Sequence, residues 1–278
     1  MNEINSNNFS VLMSIHVNDN MEYLKIALDS VYFDQVLRPK QIVIVADGKL
    51  TQQQDEVINE FSKSVGNNIV QIYKLKKNMG LAFSLNHGLK RCKFDLVARM
   101  DSDDISLPHR FLEQIKFMKS NPTVDVCGTY VNEINPETNQ FISTRKVPLS
   151  QEEIYTFAKK RNPINHPSVI FRKDKIVTLG GYPLFRKSQD FALWCLLLKN
   201  GLIFSNIGVV LLEMRSGDNL LKRRGVSYLK YEIKVIKFQR KINFISTREL
   251  IYSFTLRAFF RLSPVFIRKI LYKLSRIV

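Results

Sequence analysis

Four short apolar runs, each followed by a stretch with helical spacing, fill the first 120 residues, and this alternation restricts the possible folds more than any other feature. Residues 9–15, 41–46, 69–74 and 95–100 read as buried strands. Between them Leu24, Ala27, Leu28 and Val31 fall on one helical face, 51–61 repeats the pattern, and Leu81, Leu85 and Leu89 give a third helix. Pro108 suits a helix start, and Phe111, Ile115 and Met118 continue it. Strand and helix in strict turn predict an α/β fold, a mostly parallel, Rossmann-like central sheet flanked by helices. Right-handed crossovers bring the strand C-termini to one edge, where ligands bind. Beyond 124–132 the rhythm loosens into a loop and helix (147–161), a short strand (168–172), a helix (187–200) and a further strand (202–212).

Charge is distributed unevenly along the 278 residues. The chain carries a formal +17, yet from Lys222 onward 15 basic residues face only Glu232 and Glu249, a surplus of 13. The expected organisation is therefore a domain over 1–225, in two halves that divide at about 130 (1–130 and 131–225), and a basic amphipathic helical extension over 226–278. Taken as a helix, 265–278 puts Phe266, Ile270, Leu271 and Leu274 opposite Arg268, Lys269, Lys273 and Arg276. Such a helix can lie on an anionic membrane surface, or its apolar face can pack on the protein itself. Nucleic acid is not an expected partner, since no zinc-finger or RNA-recognition pattern is present. The polar start lacks a signal peptide and no run is apolar enough to span a bilayer. Three scattered cysteines suit buried thiols in a reducing compartment. The expected location is cytoplasmic, peripheral on the cytoplasmic face of the membrane.

The stretch richest in chemistry is Arg99-Met100-Asp101-Ser102-Asp103-Asp104, directly after the fourth strand. Three carboxylates in four residues repel one another unless a cation sits between them, and Mg²⁺ or Mn²⁺ with phosphate oxygens meets that need. The alternative is an acidic turn that caps the helix after Pro108. Asp47, ending the second strand, either accepts the imide N–H of a pyrimidine ring or is a turn residue. Asn78 and Gly80 precede a helix, which Asn78 can cap while Gly80 permits close ligand approach. Asp190, in a first helical turn, is either stabilised by the helix dipole or a general base. His166 in Asn-His-Pro-Ser, and Arg215 and Arg223 near the basic stretch, are candidates for diphosphate or acceptor contacts. The G-x-G-x-x-G and Walker patterns are absent.

These segments together resemble the family 2 glycosyltransferases of the GT-A fold group, which includes bacterial capsule and exopolysaccharide enzymes. The resemblance rests on residues 10–14 with Asn18, on Ala46-Asp47-Gly48, on Lys77-Asn78-Met79-Gly80-Leu81, and on 97–104. It continues through Asn165-His166-Pro167-Ser168, Gly180-Gly181-Tyr182 and Gln189-Asp190 before Leu193-Trp194. It implies an inverting transferase that takes a nucleotide-sugar donor, usually a UDP-sugar, with a divalent cation. In surface-polysaccharide synthesis the acceptor would be a saccharide or a polyprenyl-linked saccharide. Ser14, Asp47, Asn78, Gly80, Arg99 and Asp101 would then lie on the donor. Asp103 and Asp104 would hold the metal, and Asp190 would be the base. Gln189 stands where the family often has an acid, and Ile15-His16-Val17 replaces a more usual tyrosine-bearing sequence. A sugar nucleotidyltransferase and a non-catalytic membrane- or nucleic-acid-binding protein are the competing readings.

Overall fold

The computed structural model describes residues 7–216 and 226–262. The predicted alternation is present. Strands β1 (Ser10–Ile15), β2 (Gln41–Ala46), β3 (Val70–Lys74) and β4 (Leu96–Met100) alternate with helices α1 (Met21–Ser30), α2 (Gln52–Val65) and α3 (Leu81–Leu89). They pair in parallel in the order β3-β2-β1-β4. Every residue of β2 and β4 is buried, as expected of parallel strands covered on both faces.

Alternation along each strand divides the core in two. Leu12, Val43, Val45 and Val97 face a layer made with α3 and later helices. Val11, Met13, Ile42, Ile44 and Ala98 face α1, α2 and the later helix α4 (Arg110–Ser120). Gly88 lets α3 settle on the sheet, since a Cβ there would lie 2.3 Å from Leu12 Cδ1.

The second half joins the same sheet but is mixed in direction. After β5 (Ile105–Ser106) and α4 come β6 (Val126–Ile134), β7 (Phe141–Arg145), α5 (Gln151–Ala158), β8 (Ile170–Arg172) and α6 (Lys173–Thr178). Then follow α7 (Gln189–Lys199), β9 (Phe204–Arg215), α8 (Val226–Lys241) and α9 (Thr247–Leu262). The sheet continues β4-β8-β6-β9-β5, with β7 on the side of β6. β8 is antiparallel to both β4 and β6, whereas β9 runs parallel to β6 and antiparallel to β5. Three elements escaped the sequence pattern, β5, β7 and α6. β5 has two residues and α6 six, and β7 is half-exposed without clean alternation.

Val235 and Ile236 of α8, with Phe244 and Ile245 after it, join the apolar cluster around Trp194 and Leu198 of α7. The start of the basic stretch therefore shares the core of the fold. The helix expected over 265–278 lies outside the described residues, as do Lys222, Arg223 and Arg224. Among the described residues no helix is long and apolar enough to cross a membrane.

Candidate active site

β4 delivers the acidic cluster to the rim of the sheet. Its strand ends at Met100, the chain turns through 101–104, and β5 then pairs with β9, Ser106 opposite Leu212 and Ile105 opposite Glu213. This pins the turn from behind and brings Arg215, the last residue of β9, over it. The Arg215 backbone N–H donates to Asp104 Oδ1 at 3.0 Å, and its guanidinium donates to the Asp103 carbonyl. The same guanidinium lies 4.4 Å from the centre of the Tyr23 ring.

Carboxylate oxygens of Asp101, Asp103 and Asp104 all lie within 4.8 Å of one another. They are not alike. Asp101 is held through both oxygens by Arg99, whose side chain is 2% exposed. Arg99 therefore lies beneath the cluster, and its link to anything bound above runs through Asp101. Asp103 is open at the cleft mouth, yet confinement there and the charges of Asp101 and Asp19 push its carboxyl up to about 6. Asp104 is buried and shifted well upward by desolvation, then by Asp103 and Asp101. Its Oδ2 is buried without a hydrogen-bond partner, as are Nε and Nη2 of Arg215.

An orphaned buried carboxylate oxygen beside two further acids is costly unless something positive occupies the space. All the donors are hard oxygens, which suits a divalent cation of the Mg²⁺ or Mn²⁺ type. The acidic turn does not serve as a cap, because α4 begins after His109 with no side-chain bond to its N-terminus.

Asp19 belongs to the same site and was missed in the sequence. Its Oδ2 accepts from Ser102 Oγ at 2.6 Å and from the His16 N–H at 2.8 Å. Gln54, from the capping box of α2, fastens that loop by donating to the carbonyls of His16 and Asp19. Burial raises the Asp19 carboxyl, with its two hydrogen bonds opposing the rise. Asn18 was the nearest sequence signal, but only the fold brings a loop after β1 against one after β4.

Asp47 ends β2 at the same rim. Its two oxygens accept from the N–H groups of Met79 at 2.7 Å and Gly80 at 2.9 Å. Gly48, at φ +97°, makes this possible, since a Cβ there would sit 2.9 Å from the Asn78 backbone nitrogen. Gly80 is the residue that caps α3, and no Asn78 side-chain cap is made. Ser14, half-buried near the end of β1, pairs across to Val45 beside this corner.

The opposite wall comes from the second half. Ser188, at φ 59°, starts α7, so that Asp190 lies in its first turn. Asn162 Nδ2, from the loop after α5, donates to Asp190 Oδ2 at 2.6 Å. Near both this wall and the acidic cluster lies a buried pair, His166 Nε2 and the Tyr182 hydroxyl, 3.0 Å apart. Burial, then the charge of Arg99, hold His166 well below its ordinary value. Burial pushes the Tyr182 hydroxyl upward, and the charges of Arg99, Asp190 and Asp101 all reach it. Tyr182 thus sits within the fields of both walls. Asn86 of α3 fixes it, accepting from its N–H at 2.7 Å and donating to its carbonyl at 2.8 Å.

An α/β sheet with an acidic turn after β4 is the arrangement expected above. The model of glycosyl transferase family 2 matches residues 10–178, more than half of the chain. The chain belongs to glycosyl transferase family 2. It is a glycosyltransferase, which displaces the nucleotidyltransferase and non-catalytic readings. The matched segment contains Asp47 and the acidic cluster but ends before Asp190.

Among curated relatives, an Escherichia coli protein named UDP-Gal:alpha-D-GlcNAc-diphosphoundecaprenol beta-1,3-galactosyltransferase is 39% identical over 270 residues, 95% of each chain. The amylovoran biosynthesis glycosyltransferase AmsE of Erwinia amylovora is 36% identical over 96% of this chain and 99% of its own. Solved folds agree. S. aureus TarS 1–349 in complex with UDP-GlcNAc superposes with a TM-score of 0.65 at 17% identity, covering 90% of this chain and 72% of that one. The mannosyltransferase PcManGT of Pyrobaculum calidifontis, in complex with GDP-Man and Mn²⁺, gives 0.61 at 13% identity, covering 97% and 79%. At such identities the likeness is one of fold, the GT-A arrangement.

Proposed function

We propose that this glycosyltransferase moves a hexose from a UDP-sugar, with inversion, onto a saccharide carried by a polyprenyl diphosphate during surface-polysaccharide assembly, working peripherally at the cytoplasmic face of the membrane. The E. coli and Erwinia relatives support the donor and acceptor classes. The observation that carries the mechanism is the pair of unlike acidic walls meeting at Tyr182, one short of positive charge and the other a single carboxylate held by a neutral amide.

Residues 1–225 carry the chemistry in this reading, and 226–278 form its basic extension. Ser14 and Asp47 flank the pyrimidine. Both Asp47 oxygens already anchor the 79–80 backbone, and each keeps a lone pair for a further donor. Asn78 and Gly80 lie beside it. Asp101, oriented by Arg99, meets the ribose. Asp103 and Asp104 would hold Mg²⁺ or Mn²⁺, which when bound supplies Lewis-acid stabilisation of the departing diphosphate. Arg215 adds guanidinium charge on the same side. Arg223, outside the described residues, would extend that charge.

Asp190 takes the proton from the acceptor hydroxyl as that oxygen attacks the anomeric carbon, and the C–O bond to UDP breaks on the opposite face. Asn162 holds Asp190 Oδ2, leaving Oδ1 for the proton. His166, enclosed and bonded to Tyr182, fixes the floor between the two walls.

The test is donor hydrolysis by the purified full chain, with UDP-galactose, UDP-glucose and UDP-GlcNAc, followed by transfer to a GlcNAc-diphosphate-lipid. Metal-dependent release of UDP from at least one donor and a product of inverted anomeric configuration are expected. No UDP release from any donor at saturating Mn²⁺ overturns the reading.

A further inference from the structure

α8 and α9 pack against each other as a hairpin. Lys230, Lys234, Lys237 and Lys241 of α8 are all exposed. At 100° per residue they fall within about 60° of arc, opposite the buried Val235, Ile236 and Gln239. The spacing makes one stripe of four ammonium groups. On α9, Ile251 is 56% exposed, Tyr252 55% and Leu256 48%, with Arg248 and Thr255 also exposed. Across 226–262 eight basic residues stand against two acids.

The hairpin is fastened to the acceptor wall. Gln239 Nε2 donates to the Ala158 carbonyl at 3.1 Å and to Cys195 Sγ of α7 at 3.2 Å. Lys159 pairs with Glu249 at 3.0 Å. The Arg257 guanidinium lies 5.8 Å from the centre of the Phe191 ring, the residue next to Asp190.

We propose that this α8–α9 face docks on an anionic lipid surface, the lysine stripe meeting headgroup phosphates while Ile251, Tyr252 and Leu256 enter the interface. Charge complementarity selects the occupant. A row of cations on one helix, with exposed aliphatic and aromatic side chains on the helix packed against it, matches the anionic, half-apolar boundary of a bilayer. A protein partner would have to bring a matching row of acids. Because the hairpin is bonded to α7 and to the end of α5, docking sets the orientation of Asp190 relative to the membrane. This deepens the lipid-linked-acceptor reading, and its test needs no acceptor.

The full chain is sedimented with vesicles of phosphatidylcholine alone and with vesicles containing 30% phosphatidylglycerol. Binding is expected only to the second, weakening as salt is raised. Joint Lys230→Gln, Lys234→Gln, Lys237→Gln and Lys241→Gln substitution lowers that binding at least tenfold, and joint Ile251→Ser and Leu256→Ser lowers it several-fold. Hydrolysis of the UDP-sugar in solution by both variants stays at the wild-type rate, which shows them folded and separates failure of docking from failure of the enzymatic reading. Three results overturn the proposal. One is equal binding by wild type and the lysine variant. Another is a serine variant that loses thermal stability while keeping vesicle affinity, meaning the apolar face is covered by the chain's own residues 263–278. The third is a wild type that binds duplex DNA or dimerises but ignores vesicles.

Discussion

The two acidic walls of the cleft are built on opposite principles. At the end of β4 the acids crowd together, Asp101 neutralised by Arg99, Asp104 buried with an oxygen unpartnered, and Asp103 held up to about 6. At the start of α7 one acid stands apart from the cluster, steadied by the Asn162 amide. Crowding makes a site that gains most from a cation. A single carboxylate held by a neutral amide is one that can be aimed at a hydroxyl. In the proposed mechanism the contrast separates charge stabilisation from proton transfer, and each variant below should disturb one without the other.

The largest effect belongs to Asp190→Asn. It keeps the shape and the helix start but, in the proposed mechanism, removes the proton acceptor, so turnover should fall by about 10²- to 10⁴-fold. Calorimetry should show UDP and Mn²⁺ binding unchanged. Loss of Mn²⁺ binding in that variant would mean that the walls do not have separate roles. Asp103→Ala reverses the pattern, with turnover down about 10²- to 10³-fold and Mn²⁺ binding lost even without acceptor.

Proton linkage sharpens the contrast at intermediate size. Asp103 has a folded-state pKa of about 6 against an ordinary 3.8. The metal-free folded protein therefore binds more protons than the unfolded chain between those values, so this group's contribution to stability declines as pH rises through that window. A cation needs the ionised form, so apparent Mn²⁺ affinity should fall as pH drops below 6, by roughly tenfold at pH 5 for one competing proton. Titration calorimetry at pH 5 and 7.5 measures it. A flat profile would place the cation away from Asp103.

Legibility of the sequence follows the same division. The first half could be read because parallel strands buried on both faces leave continuous apolar runs, and each ends in a residue that must lie at the rim. Asp47 and Asp101–Asp104 were found that way. Asp190 gave no such cue, since an acid in a first helical turn is ordinary, and it rested on resemblance to the family. Asp19, Asn86 and Asn162 could not be found from spacing. Asp19 meets Ser102 across 83 positions and Asn86 meets Tyr182 across 96, so their significance exists only after the chain has closed. β8 also hid its direction, because three residues record burial but nothing about the sense in which the strand runs.

Smallest should be the effect of Asp47→Ala, which tests whether the donor wall has a structural part separable from its chemistry. The variant leaves the N–H groups of Met79 and Gly80 without their acceptor. In a sealed interior that would cost about 1–3 kcal/mol for each group. Residues 76–79 are exposed, however, and water can replace part of what the carboxylate provided. The expected loss in denaturant unfolding is therefore about 1–2 kcal/mol in total, with Mn²⁺ affinity unchanged because the acidic cluster is untouched. If Asp47 also meets the base, KM for the UDP-sugar rises while kcat stays near wild type, as when binding common to ground and transition states is removed. If Asp47 only anchors the backbone, Asp47→Asn, whose one acceptor oxygen serves one of the two N–H groups while its NH2 faces the other, recovers stability in part, and KM recovers with it. An asparagine variant that recovers stability but not KM assigns the ring contact to the carboxylate itself.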